Sequence, residues 1–418
     1  MSGTWQELAL GDVVKLEYGK PLDGSCRIET GAYPVYGANG PMSRSNKFYY
    51  DKPSIIVGRK GSAGEVNLTE PKFWPLDVTY FVTFDDTRFD LRFLFHLLKS
   101  LDLPQFARGV KPGINRNDVY SVRARFPPRA EQRRIVGILD EAFDAIAVAK
   151  ANTFTNLANL SSLHAALVDA AIQGELHTHS GESVDSLLSR IDEIRYVASN
   201  KAGASPSIAS QKSNPVGRPT LPVGWAWEPL ARLTTRISDG VHKKPHYVKA
   251  GVPFVMVKNL TAGPGISFEE VRYISRSDHE EFIKRTRPEK GDILVTKDGT
   301  IGVVRLIETD TEFSIFVSLA LIKPVLRELG SYLRHALQAS CVKSQIIPQG
   351  AALKHLYLVD LRKMMVPLPP LTDQKRIVAV LDVLSERVRH LELIYLRKIE
   401  ALEKLKSSLL TQAFSGAI

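Results

Sequence analysis

Two stretches of the chain carry apolar residues at three- and four-residue steps over some forty positions each. The first runs through Ile135, Leu139, Ala142, Ile146, Ala149, Leu157, Leu160, Leu163 and Leu167; the second runs through Ile377, Val380, Leu384, Val388, Leu391, Ile394, Leu402, Leu405 and Leu409. Such spacing keeps one helix face apolar, so each stretch predicts a long amphipathic α-helix. Both open on a Pro-Pro pair, Pro127-Pro128 and Pro369-Pro370, with an acidic residue in the first turn (Glu131, Asp373) and Thr372 placed to cap the second. Both end at a glycine, Gly174 and Gly416, the usual signal at a helix C-terminus. About 40 residues at 1.5 Å each make a rod of roughly 60 Å. A single stripe of that length needs a partner, and each helix is the obvious partner of the other. The predicted seam consists of Ile135, Leu139, Ile146, Leu160 and Leu167 against Ile377, Leu384, Leu391, Leu402 and Leu409.

The remaining pattern is of short apolar runs broken by Gly/Pro turns. SIIVGR (54–59) and GDILVT (291–296) read as buried strands entering glycine turns, and residues 91–101 and 331–346 read as helices. The fold class is therefore α+β, with two globular domains and two long antiparallel helices. The predicted division is 1–126 and 221–366 for the globular domains, 127–176 and 367–418 for the helices, and 177–220 for a linker. That linker holds a short helical pattern, VDSLLSRIDEIRYVA, and then a Ser-, Ala-, Pro-, Gly- and Lys-rich run.

The two helices are copies of one another. PPRAEQRRIVGILD (127–140) and PPLTDQKRIVAVLD (369–382) align at an offset of 242, which still holds where Gly174 meets Gly416. Upstream the match loosens: SIIVGRKGSAGEV (54–66) resembles DILVTKDGTIGVV (292–304) at an offset of 238, and the 109–119 segment stands where 350–361 stands. A duplicated protein that reads two different targets keeps its scaffold and diverges in its reading surfaces. The helices are thus expected to be scaffold, and the globular domains to be readers.

Charge narrows the partner. The chain has a formal net charge of +10 over 418 residues, an excess that favours polyanions. It is spread over both halves, with 17 basic against 14 acidic residues in 1–126 and 21 against 15 in 221–366. Cys26 and Cys341 make no metal or redox spacing. With no leader-like or membrane-length apolar run, the expected location is the cytoplasm and no membrane is involved.

Catalytic signatures do not assemble. The Pro-Pro pairs lack the preceding Asn or Asp and the following aromatic of an adenine methyltransferase, since Phe126 and Leu368 precede them and Arg129 and Leu371 follow. Neither GRKGSAG nor GVKPG ends in the Gly-Lys-Ser/Thr of a phosphate-binding loop. His177 with His179, and His242 with His246, lack further ligands at zinc spacing. No metal site is therefore expected. Asp292, Lys297 and Asp298 form one short cluster, the one place for a nuclease alternative; a protein-bridging scaffold is the other rival.

What remains is a set of basic and polar residues in turns that can serve phosphates or base edges. In the first half these are Arg59, Lys60, Lys111, Asn115 and Arg116. In the second they are His242, Lys243, Lys244, His246, Lys258, Asn259, Lys297, Lys354 and His355.

The paired Pro-Pro…Gln…Arg-Ile-Val…Leu-Asp motifs, the terminal SLLTQAFSG, the LPVGWAWEPL opening of the second half and the DGVHKKP that follows resemble the specificity subunits of type I restriction-modification systems. The first half departs from this, with YGKPLDGS standing where DGVHKKP would be. The resemblance implies a non-catalytic subunit whose two target recognition domains each read half of a bipartite, asymmetric site on double-stranded DNA. The antiparallel helices would hold the domains apart around a pseudo-twofold axis, suited to half-sites about one helical turn, roughly 34 Å, apart. Two adenine methyltransferase subunits would dock on the helices and use S-adenosylmethionine. A restriction subunit using ATP and Mg would join where one exists.

Overall fold

The computed structural model describes residues 5–176, 180–202, 218–346 and 355–418. The chain forms two compact units, one of residues 1–156 with 394–418 and the other of residues 157–393. Each unit owns one globular domain, and each contains parts of both long helices, Arg129–Ile172 and Leu371–Ser415.

The first unit is organised by a four-stranded antiparallel sheet in the order Val14–Tyr18, Thr79–Phe84, Ile55–Gly58, Val66–Leu68. Ile55–Gly58 is buried throughout, as expected of a strand covered on both faces. Strand periodicity sends Ile55 and Val57 into one core with Phe93, Leu94 and Leu97 of helix Leu91–Ser100. It sends Ile56 to the other face, against Tyr36, Phe73 and Phe81. A smaller sheet, Gly40–Ser45, Tyr33–Gly37, Trp74–Pro75, includes a parallel pairing of Val35 with Trp74.

The second unit repeats this plan in the order Thr234–Asp239, Leu319–Pro324, Ile293–Thr296, Val304–Leu306. Ile293 and Val295 face Leu333 and Ala336, while Leu294 faces Val255 and Phe313. Its smaller sheet again has a parallel edge, Phe254 beside Ser314. In each unit a two-stranded ribbon ties the beginning of the globular domain to its end. Gln6–Ala9 pairs with Arg123–Phe126, and Ala226–Pro229 pairs with Met365–Leu368. The Pro-Pro pairs follow directly and release the chain from the ribbon into the helix.

The recurring motif residues anchor the long helices to these domains. The Gln132 amide donates to the carbonyl of Pro127 at 2.9 Å, and that of Gln374 donates to Pro369 at 2.8 Å. Asp140 receives buried His96 at 3.0 Å and Arg92 at 2.8 Å; Asp382 receives buried His335 at 2.8 Å together with Arg334. Within the first unit the helices run antiparallel, with Lys406 over the Phe143 ring and Lys150 paired to Glu403. Within the second, His164 meets Ser385 at 3.3 Å. The helix ends also seat alike, since Ala413 is buried in the first unit's core and its repeat mate Ala171 in the second's.

Three expectations need correction. The seam is not one continuous dry stripe. Ile135, Leu139 and Ile377 are buried in the cores of the globular domains, Leu160, Leu167, Leu384, Leu402 and Leu409 are half-buried, and Leu391 is exposed. The apolar steps near each helix start therefore mark docking onto a domain more than helix pairing. Residues 177–220 are not a linker throughout. Helix Asp185–Ala202 packs Leu187, Leu188 and Ile191 into the second unit's core beside Trp225, because its apolar positions recur on one face. The helix expected over 331–346 is two, Leu329–Ala336 and Ser340–Lys343, with the Asp169 carboxylate accepting from the Ser340 amide at the break.

Candidate nucleic-acid interface

In the first unit the glycine turn after Ile55–Gly58 is laced to the loop that precedes the first long helix. The Ile114 amide donates to the Arg59 carbonyl at 3.0 Å, the Gly61 amide to Pro112 at 3.0 Å, and Lys60 bridges to Gly113. The second unit repeats the lacing. The Leu356 amide donates to the Lys297 carbonyl at 3.0 Å, and Asp298 bridges to His355. Gly61 and Gly64 have φ of +80° and +87°, and their mates Gly299 and Gly302 have +67° and +81°. These left-handed positions explain why both glycines recur while the residues between them change.

What the two frames carry is different. Arg59 and Arg116 stand over the ring of Tyr18, at 4.9 and 5.1 Å from its centroid. Lys60 and Lys111 are exposed beside them. Asn115 caps the short helix Arg116–Tyr120 by accepting from the Asn117 amide. Arg59 and Lys60 belong to the glycine turn and Lys111, Asn115 and Arg116 to the segment before the first long helix, and the fold brings the two segments together. Tyr18 escapes a reading of the sequence alone, because an aromatic at the end of a strand looks like core.

In the second unit the register of the equivalent sheet puts Asp239 where the first has Tyr18. The Lys297 ammonium donates to Asp239 at 2.6 Å and is only 2 % exposed. Lys297 was expected as a contact because Arg59 is its repeat mate, but burial and the carboxylate remove it from the surface. Asn259 is corrected in the same way: its buried amide accepts from Met256 N and donates to Ser267 O, holding the 256–267 loop. Lys258 is exposed, with its ammonium on the Glu270 carbonyl at 2.9 Å.

His242, Lys243, Lys244 and His246 are all exposed along one loop, with the His246 amide fixed by Asp278 at 2.6 Å. His355 is half-buried, with Nδ1 on Asp298 and its ring 4.7 Å from Tyr357. Lys354, His177 and His179 lie outside the described residues. The three residues of the nuclease alternative do not share a site. Asp292 pairs with Lys323 at 2.5 Å, its carboxyl raised above the ordinary range by burial, while Lys297 pairs with Asp239 and Asp298 with His355. Among the described residues, no helix is long and apolar enough to cross a membrane.

Residues 2–153 and again 241–402 match the family described as type I restriction modification DNA specificity domain. A putative type I restriction enzyme specificity subunit from Haemophilus influenzae is 25% identical over 372 residues, covering 87% of this chain and 82% of that protein. The EcoBI specificity subunit of Escherichia coli is 23% identical over 347 residues, covering 80% and 67%. Among solved structures, a chain from a type I restriction-modification assembly superposes with a TM-score of 0.69 at 17% identity, covering 98% of this chain and 97% of that one. The HsdS subunit from Thermoanaerobacter tengcongensis gives 0.54 at 18%, covering 99% and 97%.

Proposed function

From its membership of the type I restriction-modification DNA specificity family, which makes the chain the DNA-recognising, non-catalytic subunit of such a system, we propose that it reads a bipartite, asymmetric site. The observation that carries this reading is the pair of repeated turn-and-loop frames with unlike contents: arginines on a tyrosine in one domain, a closed Lys-Asp pair in the other. Two domains with one scaffold and two chemistries read two different half-sites.

In this reading, Arg59, Lys60, Lys111, Asn115 and Arg116 face DNA from the first domain. His242, Lys243, Lys244, His246, Lys258 and His355 face it from the second. Surface lysines in such loops serve phosphates and set affinity, while Arg and Asn can reach base edges. The long helices, which both units share, set the number of unread base pairs and carry two adenine methyltransferase subunits. Those subunits supply the S-adenosylmethionine chemistry on flipped adenines, and restriction subunits with ATP and Mg join where present.

Mapping methylated adenines in cells that express the chain with its methyltransferase tests the reading. The expected result is a split, non-palindromic motif modified on both strands; a continuous palindrome overturns it.

A further inference from the structure

We propose that Tyr18 is a positioning residue that presents Arg59 and Arg116 to a guanine in the half-site met by the first domain, and that the second domain reads its own half-site without a counterpart. The inference rests on the DNA-reading function above.

The geometry is specific. Both guanidinium carbons lie about 5 Å from one ring centroid (4.9 and 5.1 Å), and Tyr18 is 44% exposed. Tyr80, its cross-strand neighbour, lies against it in a tilted pair with centroids 5.2 Å apart. Tyr80 is itself anchored through its hydroxyl to the Ile114 carbonyl at 3.3 Å, in the loop that leads to Arg116. A guanidinium stacked on a ring spends its flat face and keeps its N–H edges. Those edges are what a guanine needs, since its N7 and O6 accept a paired donor. Arg59 spends one donor on the Asp77 carbonyl at 2.9 Å, and neither arginine forms an ion pair among the described residues. Two flexible cations are thus ordered before DNA arrives, with most of their donors unspent and their charge uncancelled.

The duplication supplies the internal control. Tyr18 lies opposite Tyr80 in its sheet, and Asp239 lies opposite Ala320 at the same place in the other. There the cation on the neighbouring turn is a lysine, buried and neutralised by the aspartate. The closed pair offers phosphates no net positive charge and leaves no free donor edge at that seat. The seat that reads in one domain is closed in the other, so the second domain reads from elsewhere, and Lys243 and Lys244 are the exposed lysines nearest in sequence to Asp239.

The test uses the full chain assembled with its methyltransferase partner and duplexes randomised singly at each position of both half-sites. Tyr18→Ala, Arg59→Ala and Arg59→Lys are each expected to lower discrimination by about 10-fold at one or two adjacent positions, one of them a guanine. Requirements in the other half-site stay unchanged. Tyr18→Phe, which keeps the ring face, restores discrimination. Uniform weakening of all sequences by Tyr18→Ala and Arg59→Lys, or relaxation that includes no guanine position, overturns the proposal. A Lys60→Ala/Lys111→Ala double variant separates the two levels. If it lowers affinity and the salt slope while the Tyr18 and Arg59 variants leave base preference intact, this inference fails and the DNA-facing reading stands. If the lysine variant also changes nothing, the assignment of this face to DNA fails with it.

Discussion

Lys297 and Lys243 carry the same charge in opposite circumstances, and this separates what each can do. Lys297 is sealed against Asp239, so Lys297→Ala leaves that half-buried carboxylate with only the exposed His242, 3.6 Å away, and should cost roughly 3 kcal/mol of stability. Thermal denaturation checks this; a midpoint within a degree of the parent would show that the pair contributes nothing. Lys243 and Lys244 are exposed and part of no ion pair among the described residues. Replacing both by alanine should weaken binding to all sequences alike and reduce the slope of log K against log salt by up to about 2. A slope equal to the parent's removes them from the interface. At this scale the sequence was least informative. Lys297 looked like a contact because its repeat mate is Arg59, and only the partner residue at the equivalent strand position, aspartate against tyrosine, decides the fate of the cation. That partner is distant in sequence in both copies, which is why spacing alone could not reveal it.

The elements were far more legible. The helix boundaries, the strand-to-glycine-turn units and the duplication follow from periodicity and punctuation, since these are local properties. The helix at Asp185–Ala202 is visible in the sequence as a pattern, but nothing in its own residues tells whether its apolar face finds a core or belongs to a linker. The recurring Leu-Asp of the long helices now has a physical role as the seat of a buried histidine. Burial, with Arg334 adding to it, depresses His335 to about 4 although Asp382 opposes the shift; His96 is lowered by burial as well. The folded state thus holds His335 neutral while the unfolded chain takes up a proton near pH 6.5. Stability is full above that value, falls as pH drops from about 6.5 toward 4, and levels off below. The melting temperature should follow this course, and His335→Gln should flatten it; an unchanged pH profile in the variant would place the loss in other groups.

For the molecule as a whole, the two copies of the scaffold match closely and the two readers loosely, and the functional reading follows from that contrast. If the long helices set the spacer, removing about one heptad from each at matched positions should change the number of unread base pairs and leave both half-sites as they were. Altered half-site bases in the modified motif would show that the helices shape the readers as well.

The ribbons that close each globular domain have one more implication. Gln6 sits opposite Phe126, and Ala226 sits opposite Leu368, so each domain enters and leaves through neighbouring strands, only about 5 Å apart at the backbone. A segment whose two ends share one doorway can be lifted out and replaced without stretching the chain on either side. Each reader is therefore a cartridge, and genetic exchange at two short, matching borders would give the same scaffold a new address to read.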